Sequence, residues 1–226
     1  MALIEIQDVT KKYHGQEGEV QALKGVTCEI HEKEFVAVMG PSGSGKSTLL
    51  TMLGVLSAPT TGKVLIDDID VYALSREQQA DFRSEYIGFV FQQFQLIPYL
   101  TAAENVMLPL AITKLSNSEQ LERAYKVLER VGLKGKESRL PSELSGGEQE
   151  RVAIARAIVN NPAIVMADEP TGSLDTKTGE EILQLFKDLN NEGLTIIMVT
   201  HNPDNLRHVG RAIRIRDGRI DTADTI

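Results

Sequence analysis

Residues 35–50 read FVAVMGPSGSGKSTLL, and the reading of this stretch decides the fold. Its first five residues are apolar without alternation, the pattern of a strand covered on both faces. The next eight, GPSGSGKS, match G-x-x-x-x-G-K-[ST], and Thr48, Leu49 and Leu50 then follow as residues that can open a helix. Glycines at 40, 43 and 45 let the loop curl so that backbone N–H groups, including those of Ser42, Ser44 and Thr48, point inward at phosphate, and the dipole of the following helix adds to the attraction. Lys46 is then the residue to reach β- and γ-phosphates, and Ser47 the ligand for Mg²⁺. The plainer alternative is a Gly/Ser turn beside a surface lysine. It leaves the strand before and the helix after without a purpose.

Similar apolar runs recur outward from this centre. LIEI lies near the start, KVLI at 63–66, IGFVF at 87–91, AIVMA at 163–167, TIIMV at 195–199 and AIRI at 212–215. With the helical patterns between them they predict an α/β core. From about Thr101 to Val159 the chain reads mostly helical. Leu121, Ala124, Tyr125, Leu128 and Val131 fall at helical spacing, Ser116 with Glu119 forms a capping box, and Gly132 ends the helix. One α/β domain over 1–226 with a helical insertion at about 92–159 is therefore expected. The closing stretch DGRIDTADTI is polar and is expected to fray.

Composition narrows the function. The chain has 226 residues, 42% hydrophobic and 25% charged, enough to bury a substantial core. A formal charge of −8 offers no general basic surface for a phosphate backbone, so no nucleic acid partner is expected. Cys28 is the sole cysteine, which excludes an intrachain disulfide framework and fits a reducing compartment. The opening MALIEIQDVTKKY has acidic residues where a signal peptide needs its apolar stretch, and no run approaches the roughly 20 apolar residues that span a bilayer. Membrane association is expected to come through a partner.

Two further stretches carry chemistry. AIVMA ends in Asp168 and Glu169; beside a phosphate loop the first can hold Mg²⁺ and the second can orient or deprotonate an attacking water. The bland alternative is a strand surfacing into polar residues. LSGGEQERVAIAR, residues 144–156, places a Ser145 hydroxyl and the unobstructed backbone of Gly146 and Gly147 at the start of a helix. These are phosphate-binding features, although an ordinary serine-capped helix shows them too. Two phosphate-reading elements for one nucleotide make sense if a second copy of the chain supplies one of them.

The set GPSGSGKS, VFQQ, LSGGE, IVMADEP, SLD and TH, in this order over essentially the whole chain, resembles the ATPase subunit of an ABC transporter. The resemblance implies a P-loop NTPase (RecA-like) core with an N-terminal antiparallel β subdomain and an inserted α-helical subdomain. It implies ATP and Mg²⁺ as ligands and an ATP-dependent homodimer in which Ser145 and Gly147 of one subunit close over the γ-phosphate held by the other. By the same resemblance Tyr13 corresponds to the aromatic that stacks on adenine, with a half-buried strand-end tyrosine as the alternative. Gln92 resembles the glutamine contacting Mg²⁺ and the attacking water, with Gln93 a weaker candidate. Asp175 resembles the residue that communicates across the dimer, or is a plain helix cap. His201 resembles the switch histidine at γ-phosphate. Glu148, Ser173 and Asn202 depart from residues common in the family, and none of these removes a group assigned to phosphate chemistry.

PTTGKV, FQLIPYLTAAENVMLPL and RLPSELSGGE most resemble the lipoprotein-releasing and macrolide-exporting branch of LolD and MacB type, with the cell-division FtsE type close. That implies polytopic membrane subunits as partners and a cytoplasmic position on the inner face of the cell membrane. Phe94, Leu96, Ile97, Tyr99 and Leu100 are candidates either for the partner's groove or for packing within the helical part. The competing class, a soluble ABC ATPase acting on ribosomes or DNA, usually shows two cassettes or long coiled coils, and the chain has neither.

Overall fold

A computed structural model describes residues 2–15 and 18–225. The chain opens with two long strands, β1 (Ala2–Gly15) and β2 (Gly18–His31), paired antiparallel. β3 (Phe35–Met39) follows, then α1 (Lys46–Leu53), β4 (Thr61–Ile66), β5 (Ile69–Asp70), α2 (Arg76–Tyr86) and β6 (Ile87–Val90). Between β6 and the next strand every regular element is helical: α3 (Ala102–Met107), α4 (Asn117–Arg130) and α5 (Gly146–Ile158), with short 3₁₀ turns. The remainder is β7 (Ile164–Asp168), α6 (Thr176–Asn191), β8 (Thr195–Val199), β9 (Arg211–Arg216) and β10 (Arg219–Thr225).

These strands form two sheets. One is antiparallel in the order β2-β1-β4-β5; the other runs β10-β9-β3-β8-β7-β6, parallel except for β10 at its edge. The unalternating apolar runs are explained by two cores, one on each face of the parallel sheet. Phe35, Ala37 and Met39 of β3 belong to the core shared with α3 to α6, whereas Val36 and Val38 belong to the core shared with the antiparallel sheet and α1. β7 and β8 divide the same way, Val165 and Ile196 to one side, Ile164 and Ile197 to the other. At about 1.5–3 kcal/mol for each fully buried large aliphatic side chain, both faces contribute to stability.

The helix expected at 116–131 is α4, capped by Ser116 and Glu119 and terminated where Gly132 takes φ 82°. Two expectations are corrected. The polar closing stretch does not fray as a whole, because Arg219–Thr225 pairs antiparallel with β9. The first helix begins at Lys46 rather than at Thr48.

Sheet order brings distant motifs together. The phosphate loop follows β3, Thr200 and His201 follow β8, Asp168 ends β7, and Gln92 lies two residues beyond β6. β3, β8, β7 and β6 are consecutive parallel neighbours. All four segments therefore leave the same carboxyl edge, where open α/β sheets bind ligands.

Candidate nucleotide site

Gly45 is the N-cap of α1 with φ 106°, and a Cβ there would lie 2.6 Å from the Ala22 carbonyl oxygen of β2. Only glycine lets the loop pass this closely beneath the β1–β2 ribbon. No acidic side chain sits in the first turn of α1 and no side chain caps it, so its N-terminal N–H groups and dipole stay available to an anion. The helices α2, α3, α4 and α5 instead close their own N-termini with capping boxes. Lys46 Nζ donates to the carbonyls of Gly40 and Pro41 at 2.9 and 3.0 Å, which folds the ammonium back over the loop.

One cleft is lined by Ser42, Gly43, Gly45, Lys46, Ser47 and Thr48 of the loop together with Gln92, Asp168 and Glu169. Asp168 is half-buried and its carboxyl is raised above the usual range, first by burial and then by the neighbouring Glu169 charge; a hydrogen bond from Ser47 and the Lys46 ammonium pull the other way. Glu169 has φ 49°, a left-handed conformation that costs a non-glycine residue of order 1 kcal/mol or more and is held here by its N–H bond to the Val199 carbonyl. Its Oε1 lies 2.8 Å from His201 Nδ1. The donors offered by Ser47, Gln92 and Asp168 are all oxygens, the hard ligands that Mg²⁺ takes in combination with phosphate. Among the described residues no cluster of three or more His, Cys, Asp or Glu is arranged for a metal.

Ser145, Gly147 and Asp175 do not line this cleft. Ser145 caps α5 in a reciprocal box with Glu148, at 3.3 Å from the Glu148 N–H and 3.0 Å back to its own. The Lys136 ammonium paired with Glu148 holds that carboxylate below its usual range. Asp175 caps α6, accepting from the Thr178 N–H at 3.0 Å and its hydroxyl at 2.6 Å, and these bonds lower its carboxyl. Gly147 lies against the Thr178 methyl, so LSGGE and SLD pack as one patch. Tyr13, on β1, is 44% exposed with the Lys11 ammonium 5.1 Å from its ring centroid, also outside the cleft lining. Of the apolar stretch after Gln92, Leu96 packs against the core while Tyr99 is 77% exposed.

Sequence reading passed over Arg156. Its guanidinium, on α5, donates to the carbonyls of Phe94 at 2.8 Å and Gln95 at 2.7 Å, two left-handed residues in succession just after Gln92. It also passed over Glu150, fully buried in α5 with neither carboxylate oxygen partnered and pushed up by burial to about 8. An acidic residue within a helix that is otherwise apolar on its buried side was the available signal.

A parallel sheet with a glycine-rich loop entering α1 and a carboxylate pair two strands away makes this a P-loop NTPase core. Residues 23–172 match the ABC transporter family, and the chain belongs to that family as an ATP-binding, ATP-hydrolysing subunit. It is 48% identical over 218 residues to the ABC transporter ATP-binding protein YvrO of Bacillus subtilis, covering 96% of this chain and 95% of that one. It is 49% identical over 224 residues to the macrolide export ATP-binding/permease protein MacB of Syntrophobacter fumaroxidans, spanning 98% of this chain and 31% of MacB. The fold superposes with a TM-score of 0.90 on the ATP-binding cassette MJ0796 of Methanocaldococcus jannaschii in a dimeric post-hydrolysis state bound to ADP and Pi, at 46% identity and 98% coverage of both chains. Among the described residues no helix is long and apolar enough to cross a membrane.

Proposed function

We propose that two copies of this chain close on two ATP molecules, each held by the phosphate loop of one copy and covered by Ser145 and Gly147 of the other, to drive a polytopic membrane partner. The observation that carries this reading is that LSGGE and SLD pack as one patch outside the cleft of their own chain, while that cleft gathers the phosphate loop with Gln92, Asp168 and Glu169. The dimeric MJ0796 cassette and the MacB relative support it. Residues from about 92 to 159 act as the helical subdomain, and the exposed Tyr99 belongs to its face toward the partner, at the inner side of the cell membrane.

The reaction is ATP + H₂O to ADP + phosphate. Lys46 leaves the Gly40 and Pro41 carbonyls for the β- and γ-phosphates, where loop N–H groups share the charge. Glu169 accepts a proton from the attacking water, and His201, 2.8 Å from its carboxylate, orients it and reaches the γ-phosphate. Ser47, Gln92 and Asp168 are the residues that would hold Mg²⁺, and its charge would stabilise the transferring phosphoryl group. Tyr13 stacks on the base and Asp175 meets the other subunit.

Glu169→Gln tests the base. Turnover is expected to fall about 100-fold or more while ATP binding persists. Unchanged turnover rejects Glu169 in that role.

A further inference from the structure

We propose that Asn205 is a positioning residue for hydrolysis, setting the relative placement of Glu169 and His201 from behind the site. The inference rests on the proposed roles of that pair and extends them to a residue that touches neither substrate nor water.

Asn205 lies in the 3₁₀ turn Pro203–His208 that follows β8 and is 3% exposed. Its amide nitrogen has two protons and two acceptors. One bond, 2.9 Å, goes to the hydroxyl of Thr200, the residue directly before His201; the other, 3.3 Å, goes to the hydroxyl of Thr171, two residues after Glu169. One side chain thus joins the two segments that carry the carboxylate and the imidazole.

Each anchor is itself fixed. The Thr200 hydroxyl also accepts the Asn202 N–H at 3.1 Å, which shapes the turn behind His201. Thr171 sits in the turn closed by the Gly172 N–H on the Glu169 carbonyl at 3.0 Å, the turn that begins at the left-handed Glu169. The Asn205 N–H bonds the Asn202 carbonyl at 3.3 Å.

A buried amide is costly unless satisfied, and an apolar residue of like volume would serve packing alone as well. What an apolar residue cannot supply is direction. A carboxylate with strained backbone and an exposed histidine need their turns held in register, because small misplacements of reacting groups cost large factors in rate.

The test compares steady-state ATPase kinetics of Asn205→Leu, Thr171→Val, His201→Ala, Glu169→Gln and the double variant Asn205→Leu/His201→Ala, with nucleotide affinity measured separately. Leucine keeps the volume and removes both donors; valine removes only the Thr171 hydroxyl and guards against a folding defect in the first. Asn205→Leu is expected to lower kcat about tenfold with KM for ATP within about twofold, and Thr171→Val to lower kcat by a smaller factor in the same manner. The double variant is expected to be no slower than His201→Ala alone. If His201→Ala and Glu169→Gln retain wild-type turnover, the reading of the pair itself fails. If both lose turnover while Asn205→Leu and Thr171→Val keep wild-type kcat, or if the Asn205 loss multiplies fully with that of His201→Ala, Asn205 has no positioning role.

Discussion

Alanine at Gly147 drives a methyl group into Thr178. The added Cβ would lie 2.3 Å from Thr178 Cγ2, against the ~3.5–4.0 Å at which carbon atoms pack. Thr178 is not free to turn aside, because its hydroxyl donates to Asp175 at 2.6 Å and that bond helps cap α6. Relief by backbone shift costs about 1–3 kcal/mol as overpacking, and relief by rotating Thr178 sacrifices part of a cap worth about 0.5–2 kcal/mol. Removing a helical glycine returns up to about 1 kcal/mol, so a mid-range overpacking cost of about 2 kcal/mol leaves a net loss of about 1 kcal/mol, and the upper end leaves about 2 kcal/mol. Urea unfolding reads it as a lower midpoint at unchanged slope. Thr178→Ser deletes the offending methyl and keeps the hydroxyl, so the double variant is expected to recover most of that loss. A Gly147→Ala protein as stable as wild type, or a double variant no better than the single, refutes the claim that the two motifs are packed to contact at this point.

Glu150 makes stability depend on pH. Free in the unfolded chain it ionises near pH 4, but in the fold its carboxyl is pushed up to about 8, so the stability present at low pH is lost as pH rises from about 4 to about 8. Glu150→Gln is expected to stabilise by about 1–3 kcal/mol at pH 7.5 and by almost nothing at pH 4.5 in denaturant titrations. An equal effect at both pH values contradicts this. Arg156→Met removes both bonds that hold the Phe94–Gln95 turn, and kcat for ATP is expected to fall about fivefold or more with affinity unchanged, since a strained turn beside Gln92 relaxes. A wild-type kcat in that variant separates the turn from hydrolysis.

The central strands and the loop were legible because their signals are local. β3, β7 and β8 are apolar on both faces, and only a strand between two cores needs that. β2 was not, since its fourteen residues are mostly exposed or half-buried and its pairing with β1 shifts register several times. β10 hid in a polar sequence for the same reason: an edge strand needs backbone partners more than apolar side chains. Each motif could be read where it stands, but its convergence with the others depends on strand order. Arg156 and Asn205 were out of reach for a different cause. Their partners are carbonyls 61 and 62 residues away for Arg156, and for Asn205 one hydroxyl 34 residues away with a second only 5 away, and neither pattern has a sequence period.

The most direct test of a site shared between two copies is to place Ser145→Arg on the Glu169→Gln background and measure mass in solution and ATP affinity together. Glu169→Gln with ATP and Mg²⁺ is expected to form a dimer retaining two nucleotides. The added Ser145→Arg is expected to abolish that dimer while each monomer still binds ATP with unchanged affinity. A dimer that survives Ser145→Arg, or a monomer whose ATP affinity is lost with it, would contradict a signature segment that reads the neighbour's phosphate.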